Sequence, residues 1–105
     1  MEEQFLYLTT KGWKTGENHQ VEIWFVKQGE KYYAVSEMSE RSHWVQNIRH
    51  NPTVAFRVGK KSLMGSARAI DKKVEPELLA AVKKLMESKY KWSDGLIVEL
   101  KPVST

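Results

Sequence analysis

Cysteine is absent from this 105-residue chain. That excludes disulfides and thiolate metal sites, and it suits a reducing cytoplasm. Histidine is sparse: His19, His43 and His50 show no HxxxH or comparable ligand spacing, so no metal site is expected. Long apolar runs are missing too. The longest stretches span a few residues, far short of a bilayer crossing, and no membrane association is expected. No charged-then-apolar segment opens the sequence, so no signal peptide is expected. There is no repeat, linker or low-complexity tract, and no Ser-His-Asp set or carboxylate pair to carry hydrolytic chemistry.

What is present is an ordinary globular composition. With 41% hydrophobic and 29% charged residues, the chain has the make-up and length of one domain, expected over residues 1–105. Lys and Arg number 17 against 13 Asp and Glu, a net charge of +4 that attracts phosphate on nucleic acid or on a small cofactor. Four tryptophans are many for this length. They serve either a base-stacking surface or a well-filled small core.

The patterning alternates strands with two helices. Phe5 to Thr10 is short, aromatic and β-branched, a strand. Lys11 to Gln20 is polar with Gly12 and Gly16, a loop or hairpin. Val21, Ile23 and Phe25 alternate with Glu22, Trp24 and Val26; bulk on both sets predicts a strand buried on much of both faces. Gln28-Gly29-Glu30 turns the chain into a strand over Lys31–Glu37. Trp44, Val45 and Ile48 share a helical face within Ser39–Asn51, and Asn51-Pro52 stops that helix. Thr53–Gly59 and Ser62–Asp71 read as strands. Gly65, Ala67 and Ala69 leave one face of the second nearly bare, so something bulky is expected to pack against it. Glu75-Pro76-Glu77 opens a helix with Leu78, Leu79, Val82, Leu85 and Met86 inward and Lys83, Lys84, Glu87 and Lys89 toward water. Gly95–Lys101 is the last strand. The order β-β-β-α-β-β-α-β cannot build a parallel α/β sheet. It predicts a mainly β fold, a six-stranded antiparallel barrel with two helices plugging or flanking it.

Three motifs then carry a resemblance. The run LTTKGWKTG (8–16), the strand and turn VEIWFVKQGEKYYAVSE, and the segment HWVQNIRHNPTVAFRVG follow one another in the chain. Together they resemble the split-barrel flavin and deazaflavin oxidoreductases, relatives of pyridoxamine phosphate oxidase. The likeness is closest to the deazaflavin-dependent nitroreductase group. It rests on Thr9, Thr10, Gly12, Lys14, Thr15 and Gly16, on Trp24-Phe25-Val26 and Gly29, and on Trp44, Asn47, Ile48, Asn51 and Pro52. It implies a split β-barrel and a homodimer with the cofactor in a groove between subunits. It also implies hydride transfer to or from a small molecule, with the redox chemistry belonging to the ring. Trp44 and the G-x-K-T-G loop favour a deazaflavin over flavin mononucleotide (FMN), which is the alternative.

The resemblance also implies a site. Lys11, Gly12, Lys14, Thr15 and Gly16 are expected to hold the phosphate or acidic tail, the glycines by turning backbone N–H groups toward the anion, Lys14 as a point charge and Thr15 as a hydroxyl donor. Ser36, Ser39, Arg41 and Ser42 form the expected second contact, where a strand end meets a helix N-terminus. Trp44 lies either against the ring or in the core. Asn47 and Asn51 are expected to fix the helix end and turn. One of Arg57 and Arg68 is expected to face the groove. The competing reading is a non-catalytic module, a cofactor carrier or a barrel binding nucleic acid.

Overall fold

The computed structural model describes residues 5–12, 14–36, 43–71, 73–91 and 95–103. Eight elements follow the expected order: β1 (Phe5–Lys11), β2 (Asn18–Gln28), β3 (Lys31–Ser36), α1 (His43–His50), β4 (Thr53–Val58), β5 (Lys61–Ala69), α2 (Pro76–Tyr90) and β6 (Leu96–Pro102). The six strands close into an antiparallel barrel in the order β1-β2-β3-β6-β5-β4, the last seam being made by Tyr7, Leu8 and Thr9 against Arg57, Phe56 and Ala55. Closure leaves no strand edge along the ring, which is why short hairpins alone can sustain the sheet.

Period-2 alternation decides what lies inside. Leu6, Leu8, Ile23, Phe25, Tyr32, Ala34, Val54, Phe56, Ala67, Val98 and Leu100 form the interior, and α1 inserts Trp44, Val45 and Ile48 among them as a plug. The buried Asn47 side chain donates to the Thr10 hydroxyl at 2.9 Å, tying that plug to β1. Asn51 accepts the Thr53 N–H at 3.1 Å and turns the chain from α1 into β4. The bulk on the second face of β2 is also explained. Val26, Tyr33, Val35, Ile70 and Ile97 pack under Val82 and Met86 of α2, with Trp24 and Tyr90 at the margin. Trp24 and Tyr90 stack at 4.6 Å with rings nearly parallel.

Three details depart from the sequence reading. β2 begins at Asn18, not Val21, because the polar residues Asn18, His19 and Gln20 continue the hairpin against Lys11, Thr10 and Thr9 beyond the apolar core. On α2, Leu85 is 38% exposed, while Lys89 turns inward to donate to the Phe25 carbonyl at 3.0 Å and to lie over the Phe25 ring at 4.0 Å. The Tyr90 hydroxyl donates to that same carbonyl at 2.7 Å and accepts the Phe25 N–H at 3.0 Å. Backbone polar groups therefore draw the end of α2 onto β2. At Gly65 the close neighbour is not a bulky side chain: a Cβ there would sit 2.2 Å from the Lys101 carbonyl oxygen, so it is the backbone of β6 that approaches.

Candidate functional site

The loop between β1 and β2 is closed by its own backbone. The Gly12 N–H donates to the Glu17 carbonyl at 2.7 Å, and the Gly16 N–H donates to the Gly12 carbonyl at 2.8 Å. Gly16 takes a left-handed φ of 76°, which this tight closure requires. The N–H groups of Gly12 and Gly16 themselves are thus engaged within the loop. The polar side chains provide what the loop offers outward. Thr15 Oγ1 accepts the Glu17 N–H at 3.2 Å, which leaves its own O–H proton able to donate.

Beside this loop lies a cleft of about 570 Å³. Gly12, Lys14 and Thr15 form one wall; His19, Gln20 and Val21 of β2 and His43, Trp44, Gln46 and Asn47 of α1 form the others. The fold brings these together because the Asn47–Thr10 bond fixes α1 against the end of β1, where the loop begins. Lys14 gives the cleft a cation, and Thr15, His19, His43 and Gln46 give it hydrogen-bonding groups. Glu17 is exposed and does not line it. The donor set therefore suits an anionic tail. Gly12 is tightly boxed: a Cβ would meet Thr15 Oγ1 at 2.9 Å and His19 Nε2 at 3.0 Å.

Of the expected residues, Gly12, Lys14, Thr15 and Trp44 line the cleft. Trp44 is 7% exposed, so it is core and wall at once. Lys11 and Gly16 belong to the same hairpin but not to the cleft wall. Ser36 ends β3 opposite Leu96, is 2% exposed and does not line the cleft. Ser39, Arg41 and Ser42 lie outside the described residues. Among the polar lining residues, His19, Gln20, His43 and Gln46 were not expected. The signal for His19 was its place directly across the hairpin from Thr10, which becomes readable once β2 is extended. Among the described residues, no group of three or more His, Cys, Asp or Glu side chains is arranged to hold a metal, and no helix is long and apolar enough to cross a membrane.

The two strand arginines take different roles. Arg57 packs over the Tyr7 ring at 4.6 Å and donates to the Gly59 carbonyl at 3.1 Å. Arg68 binds buried Glu99 through Nε at 3.0 Å and NH2 at 3.1 Å, and Glu75 through NH1 at 2.6 Å and NH2 at 3.0 Å. The Tyr33 hydroxyl donates to Glu99 at 3.2 Å. Burial first, then the Glu99 carboxylate, push the Tyr33 phenol up to about 12. The hydrogen bond from Arg68 holds the Glu75 carboxyl below its ordinary value. This cluster latches the start of α2 to β5 and β6 and does not line the cleft.

Residues 1–96 match the model of the F420H(2)-dependent quinone reductase family. The chain belongs to that family. Its cofactor is a deazaflavin, which is the cofactor the motifs favoured over FMN. Solved structures share the fold. HutZ, the heme storage protein of Vibrio cholerae, superposes with a TM-score of 0.80 at 18% identity, covering 99% of this chain and 84% of that one. A Listeria innocua protein assigned as a pyridoxamine 5′-phosphate oxidase gives 0.69 at 16% identity, covering 96% and 85%. An F420-H2 dependent reductase, FDR-A, gives 0.66 at 24% identity, covering 96% of each chain. These likenesses establish the split barrel shared by F420-dependent and pyridoxamine phosphate oxidase-like proteins. No curated protein sequence matches the chain.

Proposed function

We propose that this chain is a single-domain, homodimeric reductase that binds the deazaflavin in the cleft beside the Gly12–Glu17 loop and passes hydride to a quinone-class acceptor. One observation carries the reading: Lys14 and Trp44, far apart in sequence and both drawn from the family-like motifs, line the same cleft. The bound ring supplies the hydride chemistry. The chain's part is to hold and orient. Lys14 neutralises the phosphate or acidic tail, Thr15 donates its hydroxyl proton, and His19 and His43 are further hydrogen-bonding partners. Trp44, fixed in the core, gives the wall a rigid aromatic edge. Ser39, Arg41 and Ser42, outside the described residues, stay candidates for the cofactor on the family resemblance alone.

The test is turnover. Protein mixed with the reduced deazaflavin and a soluble quinone should restore the oxidised cofactor's absorbance at a rate proportional to protein, and reduced FMN should serve far less well. No acceleration over a protein-free control refutes the reading. Retention on single-stranded nucleic acid without deazaflavin uptake would favour the binding-module alternative.

A further inference from the structure

Ties at its two ends hold α2 to the barrel. Arg68 of β5 binds Glu75 at its start, at 2.6 and 3.0 Å. Lys89 and Tyr90 at its end donate to the Phe25 carbonyl of β2. Between those ties, beside β5 and β6, a second cleft of about 590 Å³ opens. Ala69 and Ile70, where β5 ends, and Leu96 and Ile97, where β6 begins, form its floor. The Ile70 N–H donates to the Ile97 carbonyl at 2.9 Å, which closes that floor. Leu79 of α2 is its apolar wall. The small side chain of Ala69 makes the room: the sequence pattern leaves this face of β5 bare, and Ala69, Leu79 and Leu96 all stay half-buried. Among the described residues, none lines both this cleft and the Lys14–Trp44 cleft.

Charge sits on the same lining. Arg49, in the last turn of α1, and Lys83 of α2 both border the cleft. The helical pattern sends Lys83 toward water, yet it is half-buried on the cleft wall and makes no hydrogen bond or ion pair among the described residues. Asp71 is the one acid among the described lining residues, and its Oδ1 already accepts the Lys73 N–H at 2.8 Å. Two cations against one engaged acid favour an anion. A bare inorganic anion would leave Ala69, Leu79 and Leu96 in water, and a hydrocarbon would leave Lys83 unpaired. We propose that this cleft binds a small organic acid, its apolar body on Ala69, Leu79 and Leu96 and its carboxylate toward Lys83 and Arg49. Such a ligand gains charge-assisted hydrogen bonds at one end and covers apolar surface at the other. The site stands whether or not the deazaflavin occupies the Lys14–Trp44 cleft.

Naphthoate, with the uncharged naphthalenemethanol beside it, tests this on the full chain. Followed by amide chemical shifts, naphthoate should saturate with its largest changes at Ala69, Ile70 and Ile97, and the alcohol should bind about tenfold more weakly or worse. Lys83→Glu should weaken naphthoate about tenfold or more, because the carboxylate then meets a like charge. Ala69→Leu fills the floor and should block uptake while leaving the charges in place. Lys14→Ala, in the other cleft, should leave naphthoate affinity unchanged. Thermal unfolding of each variant shows that it is folded, and saturating naphthoate should raise the wild-type Tm. No saturable uptake below about 10 mM overturns the site. Equal affinity for acid and alcohol, or for wild type and Lys83→Glu, overturns the ligand class. Undiminished uptake by folded Ala69→Leu, or shifts centred on Thr15 and Trp44 with a loss in Lys14→Ala, overturns the location.

Discussion

Replacing Arg68 with methionine keeps most of the alkyl length and removes the guanidinium. Glu99, 3% exposed, then loses its bonds from Nε and NH2 at 3.0 and 3.1 Å. It keeps the Tyr33 hydroxyl at 3.2 Å and Lys31 Nζ at 3.8 Å. A hydrogen bond to a charged group contributes about 1.5–3 kcal/mol. Arg68 is itself half exposed, so solvent screening puts each bond at or below the low end. The expected loss is about 2–3 kcal/mol, smaller than the 3–5 kcal/mol typical when a buried charge is left fully alone. In a domain of this size that lowers Tm by roughly 10–20 °C. Urea unfolding at neutral pH measures the loss. The combined variant Arg68→Met with Glu99→Gln should lose less than the sum of the single changes, because both act on one interaction. A loss under about 0.5 kcal/mol, or strict additivity with Glu99→Gln, refutes the view that Arg68 compensates a buried carboxylate.

Three further outcomes are expected. Unfolded tyrosine releases its proton near 10.0, whereas folded Tyr33 holds it up to about 12. The folded state therefore loses Tyr33's contribution as pH rises through that window, and Tyr33→Phe should flatten the alkaline limb of the stability curve. Glu75 behaves in the opposite sense: its contribution is present above the ordinary value of 4.5 and is lost as pH falls through its lower folded value. Urea midpoints across acid pH should show a shallower fall for Glu75→Gln. Gly65→Ala forces a methyl against the Lys101 carbonyl and should cost about 1–3 kcal/mol or more in thermal unfolding, with the damage confined to the β5–β6 seam by amide exchange.

The barrel was legible because interior strands announce themselves. Leu6 and Leu8, Ile23 and Phe25, and Val54 and Phe56 recur at every second position within short runs bounded by turns, and only two segments break that period. The hairpin extension at 18–20 was not legible, since Asn18, His19 and Gln20 project past the core and carry no apolar signal. Nor was the inward turn of Lys89. A lysine on a helix reads as solvated until the carbonyl it reaches, that of Phe25, is placed beside it. The site divides along the same line. The spacing of Gly12, Lys14 and Thr15 marked the loop, and Trp44 marked the helix that faces it. That the Gly12 and Gly16 N–H groups close the loop on itself depends on the Glu17 carbonyl folding back, which no pattern of residue types specifies. Arg68 could not be separated from Arg57 because its partner Glu99 lies 31 residues away, on a strand paired only by topology.

The central claim is that Lys14 holds the acidic end of a deazaflavin in the cleft it shares with Trp44. An equilibrium fluorescence titration of the oxidised cofactor into wild-type and Lys14→Ala protein tests it most directly. The account predicts saturable uptake by the wild type and an affinity weaker by about 1–3 kcal/mol in the variant, roughly tenfold to a hundredfold, with thermal unfolding nearly unchanged because Lys14 is exposed. Equal affinity in the two proteins would contradict it.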